Sequence, residues 1–231
     1  MQQKVSQLMG NGLLKQGCYE AAVKCFIAAS DHEKIITCGN ECLKSGKLKE
    51  GLQAYEALGR MIPPELLIAC GDAIVEHNYG HGYCYAIKAY QMAGASSKLI
   101  AFGERILGEI SSDNSRRDNE YYYGLVVEAF IASGSLEKIL EIARCCYNGG
   151  FLELALKAYE VVRDRASLIE LGDRYVRIGD YSHAAHSFSI ASSWEKLIEV
   201  GDHLIKDGYE DKALGFYKQA IELYEQSKLV S

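Results

Sequence analysis

The sequence predicts an all-α, right-handed α-solenoid of about seven antiparallel helix pairs, and three observations carry that expectation. First, one pattern is stated twice: Leu168, Leu171, Gly172, Tyr175, Gly179, Ala184 and Phe188 return 29 residues later as Leu197, Val200, Gly201, Leu204, Gly208, Ala213 and Tyr217. A fixed spacing of this length marks a repeat architecture. Second, an aromatic residue recurs at Phe26, Tyr55, Tyr90, Phe130, Tyr159, Phe188 and Tyr217, in a chain that is only 10% aromatic. Third, the only prolines are the adjacent Pro63 and Pro64, so helices can run almost anywhere else.

Each unit reads as two amphipathic helices. A small residue marks the middle of the first helix, at Gly10, Gly39, Gly71, Gly103, Ala143, Gly172 and Gly201. Apolar residues flank it at helical spacing, as Ile35, Cys38 and Cys42 do around Gly39. Glycine there costs about 1 kcal/mol of helix propensity, which close approach of the partner helix would offset. A turn follows at Gly17, Gly46, Gly150, Gly179 and Gly208, where a helix C-terminus favours a left-handed residue. The second helix then carries Ala22, Gly51, Ala86, Val126, Ala155, Ala184 or Ala213 four residues before the aromatic, one turn away on the same face.

The middle of the chain departs from this regularity. Met61-Ile62-Pro63-Pro64 stops one helix and starts another. Tyr79-Gly80-His81-Gly82 lengthens the third turn. Residues 111–120 read as a polar loop. The whole of residues 1–231 is expected to form a single solenoid, with sub-arrays 1–110 and 121–231 on either side of that loop.

Composition narrows the function classes. With 48% hydrophobic and 24% charged residues, the chain has enough apolar content to fold rather than stay disordered. A net charge of −6 weighs against nucleic acid as a partner, because such a partner favours a basic face. No 18-residue apolar run predicts a membrane span. The opening MQQKVSQLMGNG lacks the order of a secretory signal, and the eight cysteines are expected as free thiols. The expected location is the cytoplasm.

The unit from Leu168 to Phe188 resembles the tetratricopeptide repeat, whose pattern is W-x2-L-G-x2-Y followed by A-x3-F. Leu168 stands for the Trp, and Leu171, Gly172, Tyr175, Ala184 and Phe188 keep the spacing. Most units are shorter than that family's 34 residues, and in this they are similar to the α-solenoids of clathrin, coatomer and intraflagellar-transport proteins. The resemblance implies that first helices line a concave binding surface. Carried over by spacing, the candidate partner-binding residues are Asn11, Lys15, Asn40, Lys44, Asp72, Glu76, Arg144, Asp173, Arg177, Asp202 and Lys206, with Ile169 and Ile198 in an aliphatic stripe between the polar columns. An apolar stripe with polar borders suits a peptide or an amphipathic helix of another protein. Some members of the family clamp a C-terminal carboxylate with Lys and Asn, but Gln7 stands one turn before Asn11, where the clamp has lysine.

Chemistry finds little support in the sequence. There is no Gly-x-Ser-x-Gly elbow and no phosphate-binding glycine loop, so no catalytic or cofactor-binding residue is assigned and no enzyme is expected. Cys38, Cys42, Cys70 and Cys146 occupy columns filled elsewhere by apolar residues and read as core. His77, His81 and Cys84 cluster in the extended turn but fall short of a full ligand set for a metal. The leading expectation is a non-enzymatic scaffold or adaptor. The alternative is a self-assembling homo-oligomer, or a coat or transport-complex subunit acting through solenoid edges and ends.

Overall fold

The computed structural model describes residues 1–77, 82–110 and 115–230, and among these residues it contains helices and no strand. The helices are α1 (Gln2–Lys15), α2 (Tyr19–Ala28), α3 (His32–Lys44), α4 (Leu48–Glu56), α5 (Pro64–Glu76), α6 (Tyr83–Met92), α7 (Ser96–Glu109), α8 (Arg116–Ser133), α9 (Leu136–Gly149), α10 (Leu152–Val162), α11 (Arg165–Arg177), α12 (Tyr181–Ile190), α13 (Trp194–Lys206) and α14 (Glu210–Val230). The chain divides into two compact units, Met1–Arg105 and Ile106–Ser231. In the first, α1 packs on α2, α3 on α4 and α5 on α6. In the second, α9 packs on α10, α11 on α12 and α13 on α14. This is a helical-repeat protein built from consecutive helix pairs.

The glycine column works by contact. A Cβ built on Gly10 would lie 2.6 Å from the Phe26 ring, one on Gly71 2.5 Å from the Tyr90 ring, and one on Gly201 2.6 Å from the Tyr217 ring. Gly172 meets Phe188 in the same way, whereas a Cβ on Gly39 meets Ala54 first, at 2.8 Å. Phe26, Tyr90, Phe188 and Tyr217 therefore rest on the bare backbone of their partner helices, and in those four pairs the aromatic and glycine columns are two halves of one joint. Phe26, Phe130 and Phe188 are fully buried.

Two sets of left-handed residues punctuate the repeats. The expected turn glycines Gly17, Gly46, Gly150, Gly179 and Gly208 all have positive φ. Each is followed by a backbone bond that closes the helix end, as when the Lys47 N–H donates to the Cys42 carbonyl at 2.8 Å. A second set follows each second helix four residues after the aromatic, at Ser30, Gly59, Gly94, Gly134, Arg163 and Ser192. Position 221 in the seventh unit is Ile, and α14 runs straight on through it to Val230.

The middle of the chain is more helical than its composition suggests. Pro63 precedes α5 and Pro64 opens it, as the sequence implies. Residues 116–120 of the expected polar loop belong to α8, because the Ser115 hydroxyl accepts the Asp118 N–H at 3.2 Å and caps the helix there. Val126, too large for the small-residue column, is fully buried.

Asp31 ties the first unit's helices together. Its carboxylate accepts the Lys34 N–H at 3.2 Å as the cap of α3, and it accepts the Gln7 amide from α1 at 2.5 Å. The Gln7 bond, the largest influence, holds the carboxyl below its ordinary range. Such a group stabilises the fold above its unfolded pKa of about 4 and loses that contribution as pH falls through the lower, folded value. Asp31→Ala should therefore cost about 1 kcal/mol at neutral pH. Urea melts over a pH series should show the gap to wild type closing in acid.

Candidate functional site

The first helices carry the predicted polar columns, and much of the first column is engaged within the repeats. The Tyr55 hydroxyl donates to Asn40 Oδ1 at 2.5 Å, Tyr90 to Asp72 Oδ1 at 2.7 Å and Tyr217 to Asp202 Oδ1 at 2.7 Å. In each case the acceptor directly follows the glycine, so the ring that covers the glycine is pinned at its far end by the next residue. Burial, and then the bond to Asp72, push the Tyr90 hydroxyl well above the ordinary phenol range.

The same column links successive units. Lys98 on α7 reaches both oxygens of Asp72 at 2.8 Å, and Lys196 on α13 reaches Asp173 at 3.2 Å. Both lysines stand five residues before their own unit's glycine. Asp173 stands four residues before Arg177 and Asp202 four before Lys206, a spacing that allows pairing along one helix, but the partners they take are Lys196 and Tyr217 from other helices. Asn11 is half-buried and the aromatic of its repeat, Phe26, has no hydroxyl to offer it, while the exposed Arg144 places its charge near the Tyr159 hydroxyl rather than accepting from it.

One turn further along the first helices, Lys15, Lys44, Glu76, Arg177 and Lys206 are exposed, with Lys44 paired to Glu41 at 2.9 Å. Between the two columns lie the aliphatic residues. Ile169 and Val176 are half-buried, while Ile198 and Ile205 are exposed at 36% and 44%. In the second unit, Ile169, Ile198, Asp173, Arg177, Asp202 and Lys206 thus share α11 and α13, two first helices joined by the Lys196 bridge. Asn11, Lys15, Asn40, Lys44, Asp72 and Glu76 lie on α1, α3 and α5 of the first unit.

Two arginines contribute where the sequence carried no signal. Arg105 donates to the Val75 carbonyl at 3.4 Å, and Arg174 to the Tyr147 carbonyl at 2.6 Å. Both reach the end of the preceding first helix, where a cation complements the helix dipole and a carbonyl such as that of Tyr147, already accepting the Gly150 N–H at 3.1 Å, takes a second bond. Arg174 also lies over the Tyr147 ring, 4.8 Å from its centre. Arginine occupies this column in only these two units, so no period reveals it.

Clefts also open against second helices. One of about 580 Å³ in the second unit is lined by Asp180, Tyr181, His186, Lys212 and Phe216. Another of about 380 Å³ in the first unit is lined by Lys24, Leu48, Leu52, Tyr85 and Lys88. His186 at the edge of the larger cleft bonds Glu160 on α10.

The cysteines expected in the core lie there. Cys38, Cys42, Cys70 and Cys146 are all fully buried. Burial pushes the Cys70 and Cys146 thiols up to about 12, which keeps them protonated at neutral pH and makes them poor nucleophiles. Of the trio in the extended turn, His81 lies outside the described residues, His77 ends α5 and Cys84 is exposed on α6. Among the described residues no group of three or more His, Cys, Asp or Glu side chains is placed to hold a metal ion. Among them, too, no helix is long and apolar enough to cross a membrane.

No family model matches this sequence, and no curated protein does. Among solved structures the chain is similar to one described as "Circular tandem repeat protein with novel repeat topology and enhanced subunit contact surfaces". The identity is 14%, the TM-score 0.17, and the match covers 98% of this chain and 53% of that one. The chain therefore spans about half the length of that protein.

Proposed function

We propose that this chain is a non-enzymatic protein–protein interaction scaffold, TPR-like in its repeat, that binds a peptide or amphipathic helix of a cytoplasmic partner along its first helices. One observation carries the reading: the aliphatic stripe on α11 and α13, with Ile198 and Ile205 open to solvent and Arg177, Asp202 and Lys206 beside them. An apolar strip with charged borders is what the apolar face of a docking helix requires. The half-buried Ile169 and Val176 give that strip a floor, and the Lys196–Asp173 bridge fixes the spacing of its two walls.

A double variant, Ile169→Glu with Ile198→Glu, puts two carboxylates into the strip. With helicity confirmed by circular dichroism, recovery of a co-purifying partner should fall by about tenfold or more relative to wild type, as expected when central apolar contacts are lost. The same recovery from both proteins would remove the strip as the binding face.

A further inference from the structure

We propose that the chain associates head to tail, with α14 of one copy seated on α1 of another through the same joint that connects its internal repeats. The joint is seen most simply between the first two helix pairs, within Met1–Arg105. There Val23 and Phe26 of α2 form one buried apolar cluster with Ile35, Cys38 and Cys42 of α3. The contact thus has two sides, a second-helix face and the first-helix face of the unit that follows.

Each side has one open representative. Met9 belongs to the column of Cys38, Cys70, Phe102, Ile142, Leu171 and Val200, which are at most 4% exposed, yet Met9 is 56% exposed. Leu214 belongs to the column of Val23, Ile87, Val127, Leu156 and Ala185, which are at most 7% exposed, yet Leu214 is 53% exposed. Leu52, the remaining member, is half-buried. Two faces that elsewhere cover one another are therefore both uncovered, one on α1 and one on α14.

The surroundings fit this pairing. Val5 extends the open face of α1 and Ile221 that of α14, where Tyr224 packs edge-on against Trp194 of α13. Ile221 stands where the other units place a left-handed residue that ends the helix, so α14 presents further apolar turns. Charge is complementary too. The sequence has no Asp or Glu before Glu20, and α1 carries Lys4 and Lys15, while α14 sets Glu210, Asp211, Glu222 and Glu225 against Lys212, Lys218 and Lys228, so α1 is net positive and α14 net negative by one charge. Met9 and Leu13 of one copy receive Leu214 and Tyr217 of the next, as Cys38 and Cys42 receive Val23 and Phe26. Pairing α14 with α14 would instead leave the open face of α1 uncovered. The contact is heterologous, with different patches on the two copies, and it does not depend on the first-helix strip.

Sedimentation velocity across a concentration series tests this on the full chain. Wild type should grow in mass with concentration. Met9→Glu and Leu214→Glu alter exposed positions, so both should keep wild-type helicity, and each should weaken association by about tenfold or more. Mixed in equal amounts they should recover a dimer and nothing larger, because one variant keeps an intact α14 and the other an intact α1. The Ile169→Glu, Ile198→Glu protein should associate like wild type. A wild type that stays monomeric, single variants that associate normally, a mixture that stays monomeric, or loss of association in the strip variant would each overturn the proposal.

Discussion

Phe188→Ala is expected to lower the free energy of unfolding by about 3–5 kcal/mol. The ring is fully buried in α12 and lies directly against Gly172. Large-to-small substitutions cost least where neighbours can move in to fill the space. Here the facing residue is a glycine with no side chain to offer, and the flanking Ala184 and Ala185 are small as well. The cavity should stay open and the cost should approach the upper end of the range. Urea melts provide the measurement, and a midpoint matching wild type would show that the aromatic column does not hold the pair together. Tyr217→Ala should cost less, because Tyr217 is only half-buried.

Gly172→Leu approaches the same joint from the other side and should prevent the sixth unit from folding. A single Cβ there would already lie 2.8 Å from Phe188 Cδ1 and Cζ, inside normal contact distance, and leucine adds three more carbons beyond it. Overpacking of a core typically costs about 1–3 kcal/mol, occasionally more, and this side chain lies against a ring held on its other faces by buried neighbours. The fifth unit shows how little is tolerated, since Ala143 is the largest residue anywhere in this column. Combining Gly172→Leu with Phe188→Ala should recover part of the loss, since residues in direct contact depart from additivity. Melts of the two single variants and the double variant would measure that coupling, and strictly additive losses would mean the two residues do not share a joint.

The repeat was legible because its most constrained positions admit few residue types. A ring on a bare backbone needs glycine or alanine on one side and an aromatic on the other, and both columns survive in the sequence. The turn glycines were legible for a similar reason, since left-handed backbone favours glycine. The second set of turns was not, because Ser30, Arg163 and Ser192 adopt the same conformation without its usual residue. The polar column was visible as polar, but its attachment was not. A first-helix residue such as Asn40 looks free until the packing of α3 on α4 brings the Tyr55 hydroxyl to it. The pairing of Asn40 with Tyr55, Asp72 with Tyr90 and Asp202 with Tyr217 was the available signal, although Arg144 opposite Tyr159 breaks it. The start of α8 was hidden by the charged residues of its first turn, which read as loop until Ser115 is seen to cap them.

The joint between ring and glycine also bears on how the protein comes into being. Its two halves lie close in sequence: Asp72 and Tyr90, for example, are 18 residues apart and are linked within one helix pair. Closing so short a segment costs little chain entropy, and proteins dominated by such local contacts fold quickly. At a synthesis rate of about 5–20 residues per second, a helix pair is complete within seconds of its first residue leaving the ribosome. Its apolar rings find their glycines before the next unit exists, so each pair, as it is made, presents a finished face for the one that follows.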